Sequence, residues 1–191
     1  AGQKGTLTNS DLEMAGLLLL WLVMEEVCDL TSGSHVALFS DNAPTVSWVN
    51  KLASKNSQVA DQLIRALALR LKLKGASPLS TMHIAGDKNE MTDIPSRSFG
   101  SEAKWFCRED KNETDLFELY NSQFPLPKQN LWTVFRPSQK IMSLIFSALR
   151  TEVLDMDEWR RLPKPGRHTG KSGVATANLF GWTITCRGSV S

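Results

Sequence analysis

An extended run, Ser80-Thr81-Met82-His83-Ile84-Ala85, leads directly into the polar stretch Gly86-Asp87-Lys88-Asn89-Glu90-Met91-Thr92-Asp93-Ile94-Pro95-Ser96-Arg97. The succession reads as a strand, a loop, and then a carboxylate, Asp93, delivered at the start of a short helix ending near Phe99. Two upstream segments also set a carboxylate at an element end. Glu13 stands three residues after Ser10 on a long helix pattern, and Asp41 closes the run His35-Val36-Ala37-Leu38-Phe39-Ser40. An α/β core is expected, with strands at about 35–41 and 79–85 and helices at about 10–29, 44–52, 57–74 and 92–99.

The first helix is built on the apolar run from Met14 to Met24, too short for a bilayer span of about 20 residues. It is expected to be a core helix capped by Ser10. On a helical wheel Asp11, Glu25 and Asp29 fall on one side, and Leu17, Leu20, Met24 and Val27 on the other. Glu13 lies within the apolar stripe, where an isolated charge is costly unless it is hydrogen-bonded or holds a cation. Ser10-x-x-Glu13 also fits a capping box, with Glu13 reaching back to the cap N–H. Spacing leaves both roles open.

Asp41 has the same ambiguity. It ends a strand where open α/β sheets keep their ligand sites, yet Asp41 or Asn42 could simply cap the following helix. Ser57 opens the next helix, and Lys72, Lys74 and Gly75 are ordinary signals for its end. From Lys51 to Lys74 the only acidic residue is Asp61, so Lys51, Lys55, Arg65, Arg70, Lys72 and Lys74 could face phosphates. Beyond Phe99 the pattern loosens. Residues 101–123 read as an acidic linker, and residues 124–191 as a basic, mainly helical extension with a helix at about 137–154. No element is assigned to the tail from Pro163 to Ser191.

Lys and Arg stand against Asp and Glu as 9 to 10 in residues 1–100, 3 to 6 in 101–123 and 10 to 4 in 124–191. This asymmetry hints at nucleic-acid contact, although a solvated basic surface would look the same. Cys28, Cys107 and Cys186 suit neither a disulfide framework nor a zinc site. With no signal-peptide pattern, an intracellular location, cytoplasmic or nuclear, is expected, and no membrane association. The run Gly166-Arg167-His168-Thr169-Gly170-Lys171-Ser172 only imitates a phosphate-binding loop, because three residues rather than four separate its glycines.

A helical Glu, a strand-ending Asp and an Asp opening a last helix, in that order, resemble the ribonuclease H domain of retroelement polyproteins. Gly86 to Arg97 matches the G-x-x-N-x-x-A-D-x-L-S-R ending typical of gypsy-type and DIRS-group elements, with Thr92 for Ala and Pro95 for Leu. Ser40-Asp41-Asn42-Ala43-Pro44-Thr45-Val46 resembles the S-D-N-T-T-x-V run of the DIRS type. The resemblance covers residues 6–100. It implies a ribonuclease H-like core and the two-metal hydrolysis of RNA in RNA–DNA hybrids, with Mg2+ or Mn2+ as cofactor. Glu13, Asp41 and Asp93 match three of the family's four ligands, while Asn42, Lys51, Lys55 and Asn89 fall to nucleic-acid binding or loop bracing. The partners implied are a hybrid duplex, the reverse transcriptase of the same polyprotein and, in the DIRS group, a tyrosine recombinase.

The family's first Asp, on a strand preceding the Glu helix, has no counterpart here. The core is therefore expected to lack its first strands, to expose a sheet edge and to cleave weakly or not at all. The alternative is a non-catalytic nucleic-acid-binding or connecting segment of such a polyprotein.

Overall fold

The computed structural model describes residues 7–28, 30, 35–75, 79–91, 118, 121–125, 137–150, 155–162, 175–179 and 182–186. Helix α1 spans Asn9–Val27. Thr8, not Ser10, caps it: Asp11 donates its backbone N–H to the Thr8 hydroxyl at 3.3 Å, and Asp11 Oδ2 accepts the Thr8 N–H at 2.8 Å. The capping box is therefore Thr8-x-x-Asp11, and Glu13 takes no part in it. Every residue from Met14 to Met24 is buried, so this helix has no solvated side along that stretch. The wheel assigned Asp11 and Glu25 to a polar face; the structure buries both, at 3% and 2% exposure, against hydrogen-bond partners.

Strand β1, Val36–Ser40, leads into helix α2, Ala43–Lys51, and helix α3, Gln58–Lys74, then returns the chain to strand β2, Ser80–His83. The strands pair in parallel, with Leu38 opposite Thr81 and Ser40 opposite His83. Asn42 caps α2 by accepting the Thr45 N–H at 3.0 Å, and Ser57 caps α3 by accepting from Ala60 at 3.0 Å. Gly75 closes α3 at φ 60, a left-handed conformation that glycine adopts without a Cβ penalty. Asn50 closes the outer side of β2: its Nδ2 donates to the Thr81 carbonyl at 3.0 Å and its Oδ1 accepts the Thr81 N–H at 3.3 Å. A side-chain amide thus supplies at one residue the bonds that a further strand would make.

The C-terminal part packs into the same core. Helix α4, Gln139–Leu149, lies on α1, and helix α5, Met156–Arg160, lies on α3. Ile141, Leu144, Ile145, Ala148, Trp159 and Leu162 join one cluster with α1, α3 and β1. The extension is not wholly helical. Strands β3, Ala175–Leu179, and β4, Trp182–Cys186, form an antiparallel pair, and β4 runs antiparallel to β1 in the order β2-β1-β4-β3. The sheet edge expected to be bare is accordingly covered, from the tail to which sequence reading assigned no element. A mixed sheet explains how this is possible: an antiparallel neighbour needs only the open backbone groups of β1, from whichever direction the chain arrives.

Candidate functional site

Three segments meet at the carboxyl end of β1. Asp41 follows Ser40 directly and is exposed. The first turn of α1 is fastened to the same edge: Ser10 donates its hydroxyl to Asn42 Oδ1 at 3.2 Å, and Thr45 donates its hydroxyl to the Ser10 carbonyl at 3.2 Å. Glu13 stands three positions after Ser10, one turn further along the same side of α1. It is half-buried, with Oε2 shielded from solvent. From the far side comes the loop after β2, whose 3-10 turn Gly86–Lys88 runs beside Asp41. A Cβ placed on Gly86 would lie 3.7 Å from Asp41 Oδ2, an ordinary van der Waals contact, so the turn passes near the carboxylate without crowding it.

The ambiguity over Asp41 and Asn42 is resolved by division of labour. Asn42 Oδ1 receives the Ser10 hydroxyl and the Thr45 N–H, and thereby caps α2 and ties α1 to the sheet. Asp41 is left facing outward, with its carbonyl in contact with His83 Nε2 at 3.1 Å. Asn89 is buried at the end of the 3-10 turn and bonds its backbone N–H to the Gly86 carbonyl at 3.1 Å. Asp93 and the helix expected at 92–99 lie outside the described residues. Among the described residues no three His, Cys, Asp or Glu side chains gather into a metal-holding group.

Glu13 and Asp41 are hard oxygen donors, and Mg2+ keeps several waters and accepts few protein ligands. On donor chemistry these residues suit such an ion. Strand β4, which flanks β1 on its other side, reads Trp182-Thr183-Ile184-Thr185-Cys186 and contributes no carboxylate.

The basic run from Lys51 to Lys74 is not one patch. Arg70 is buried against Glu25, and Arg65 pairs with Asp61 at 2.8 Å. Lys72 and Lys74 end α3, about 25 Å from its start for a helix of this length. Lys55 stands two residues before Ser57, whose hydroxyl donates to Asp11 in the first turn of α1. Lys51 closes α2, a helix length of about 13 Å from Asn42. Lys88 is exposed in the turn beside Asp41. Its place within the Gly86–Arg97 motif is the signal that marks it in the sequence. Ser10 and Thr45, which join the helix to the sheet, carried no signal beyond their cap-like identity.

Comparison with protein-family models, with curated proteins and with solved structures finds no match.

Proposed function

We propose that this chain contains a ribonuclease H-like domain of a retroelement polyprotein, and that residues 1–191 by themselves bind RNA–DNA hybrids while cleaving them weakly or not at all. One observation carries the reading. The strand-ending Asp41, the first turn of the Glu13 helix and the loop of the Gly86 motif converge on one carboxyl edge of a parallel strand pair. That edge is where open α/β sheets bind ligands.

Glu13, Asp41 and, by the motif, Asp93 hold the divalent cation, and Lys55 and Lys88 face phosphates. When bound, such an ion supplies charge neutralisation at the scissile phosphate and a more acidic water. The residues of this chain orient its oxygen ligands and hold the hybrid backbone beside them.

The deciding experiment incubates the full chain with a hybrid duplex in Mg2+ or Mn2+, alongside Asp41→Asn and Glu13→Gln. The expected result is salt-sensitive binding with little cleavage, and restored cleavage when an Asp-bearing strand region from a related element is joined N-terminally. Robust cleavage that survives Asp41→Asn would sink the site assignment. Absence of hybrid binding at low salt would sink the reading as a whole.

A further inference from the structure

Asp41 is held by more than its place at a strand end. The peptide group that follows it has its two polar atoms bonded to different strands. Its carbonyl meets His83 Nε2 at 3.1 Å. Its N–H, that of Asn42, donates to the Ser40 hydroxyl at 3.0 Å. A carbonyl only accepts, so His83 Nε2 must carry the proton in this contact.

Ser40 is fully buried on β1 and stands opposite His83 in the parallel register. The Ile84 N–H donates to the Ser40 carbonyl at 3.0 Å and closes the same corner. Rotation of the peptide after Asp41 would therefore break bonds on both strands at once. With that plane fixed, the backbone of Asp41 is fixed too, and its carboxylate retains only side-chain freedom. The loop at Gly86 lies beside that carboxylate: a Cβ added there would stand 3.7 Å from Oδ2.

We propose that His83 is a positioning residue for divalent-cation binding: its Nε2–H, donated to the Asp41 carbonyl, holds the peptide plane that aims the Asp41 carboxylate at the ion. The inference rests on the cation-binding reading of this edge given above. His83 is not a ligand in it and donates no proton to a reacting group. A plainer role, in which the imidazole only rounds off the strand end, would change stability without changing affinity for the ion.

The test is Mn2+ binding to the full chain, followed by the paramagnetic signal of free Mn2+, for the unaltered protein and for Asp41→Asn, His83→Ala and His83→Gln. Gln presents an amide N–H near the position of Nε2, so it can restore the donated bond without restoring the ring. The unaltered chain should bind, and Asp41→Asn should weaken binding at least tenfold. His83→Ala should weaken it about fivefold, the worth of one modest hydrogen bond, and His83→Gln should return it close to the unaltered value. Binding by His83→Ala equal to that of the unaltered chain, with Asp41→Asn impaired, would overturn the positioning role and leave the cation reading standing. Equal losses in His83→Ala and His83→Gln would also overturn it, because ring bulk rather than the donated bond would then matter. Binding unaffected by Asp41→Asn would remove the cation reading, and this inference with it.

Discussion

Arg70 departs furthest from what its charge suggested. In the sequence it belongs to a basic run; in the structure it is 4% exposed and bonded on every side. Its Nε donates to Glu25 Oε1 at 3.2 Å, a second guanidinium nitrogen pairs with Glu25 Oε2, and Nη1 donates to the Trp159 carbonyl at 3.0 Å. Trp21 Nε1 completes the group by donating to Glu25 Oε1 at 2.5 Å. One guanidinium thus joins α1, α3 and α5. Such a pair contributes little net stability over an apolar replacement, because desolvation offsets the attraction, but removing one partner strands the other in the core. Glu25→Gln and Arg70→Met should each lower unfolding free energy by about 3–5 kcal/mol in urea titrations, and the double substitution Glu25→Leu with Arg70→Met should recover most of it. Single losses below about 1 kcal/mol would mean that the pair is solvated in solution. The position was readable: residue 70 falls seven after Leu63, on the stripe of Leu67 and Leu71. The helical period, and not the charge, matches the burial of Arg70.

Helices α2 and α3 and strands β1 and β2 lie within one or two residues of their sequence expectations. Each is bounded by a local signal: Asn42, Ser57 and Gly75 satisfy helix ends whatever surrounds them. Helix α1 was harder to start, because both Thr8-x-x-Asp11 and Ser10-x-x-Glu13 fit a capping box, and the choice depends on Ser57 and Asn42 arriving from elsewhere. No local signal announces the closure of β2 by Asn50 either, since it joins residues 31 apart in the chain. That amide leaves the Thr81 backbone nothing to offer a foreign strand, a recognised way of blunting an edge. Asn50→Ala should therefore cost about 1–3 kcal/mol, the penalty for unsatisfied backbone groups. It should also raise concentration-dependent association in light scattering. A purely thermal effect, with no added association at high concentration, would show that the edge is guarded by something else.

At the scale of the whole molecule, the chain resists division at residue 100. The Pro163–Ser191 tail, rich in Gly, Ser and Thr, showed no periodicity because a short hairpin needs only a few extended residues and takes its stability from the strand it joins. Through β4 it covers the side of β1 away from β2, while α4 and α5 press Ile141, Leu144, Ile145, Ala148 and Trp159 onto α1 and α3. Full burial of one such side chain is worth about 1.5–3 kcal/mol, so losing them together matches the whole stability of an ordinary domain, about 5–15 kcal/mol. Two shortened chains separate the contributions. A chain ending at Leu162 keeps the core residues and loses only the hairpin. It should stay folded, melt at a lower temperature and associate through the bared edge of β1. A chain ending at Gly100 loses the core residues as well and should give no cooperative melt. Melting curves and light-scattering masses of the two against the full chain decide the matter. If the chain ending at Leu162 is monomeric and melts with the full chain, β4 contributes nothing to the sheet in solution. If the chain ending at Gly100 melts sharply as a monomer, the C-terminal helices are ornaments on a core that closes without them.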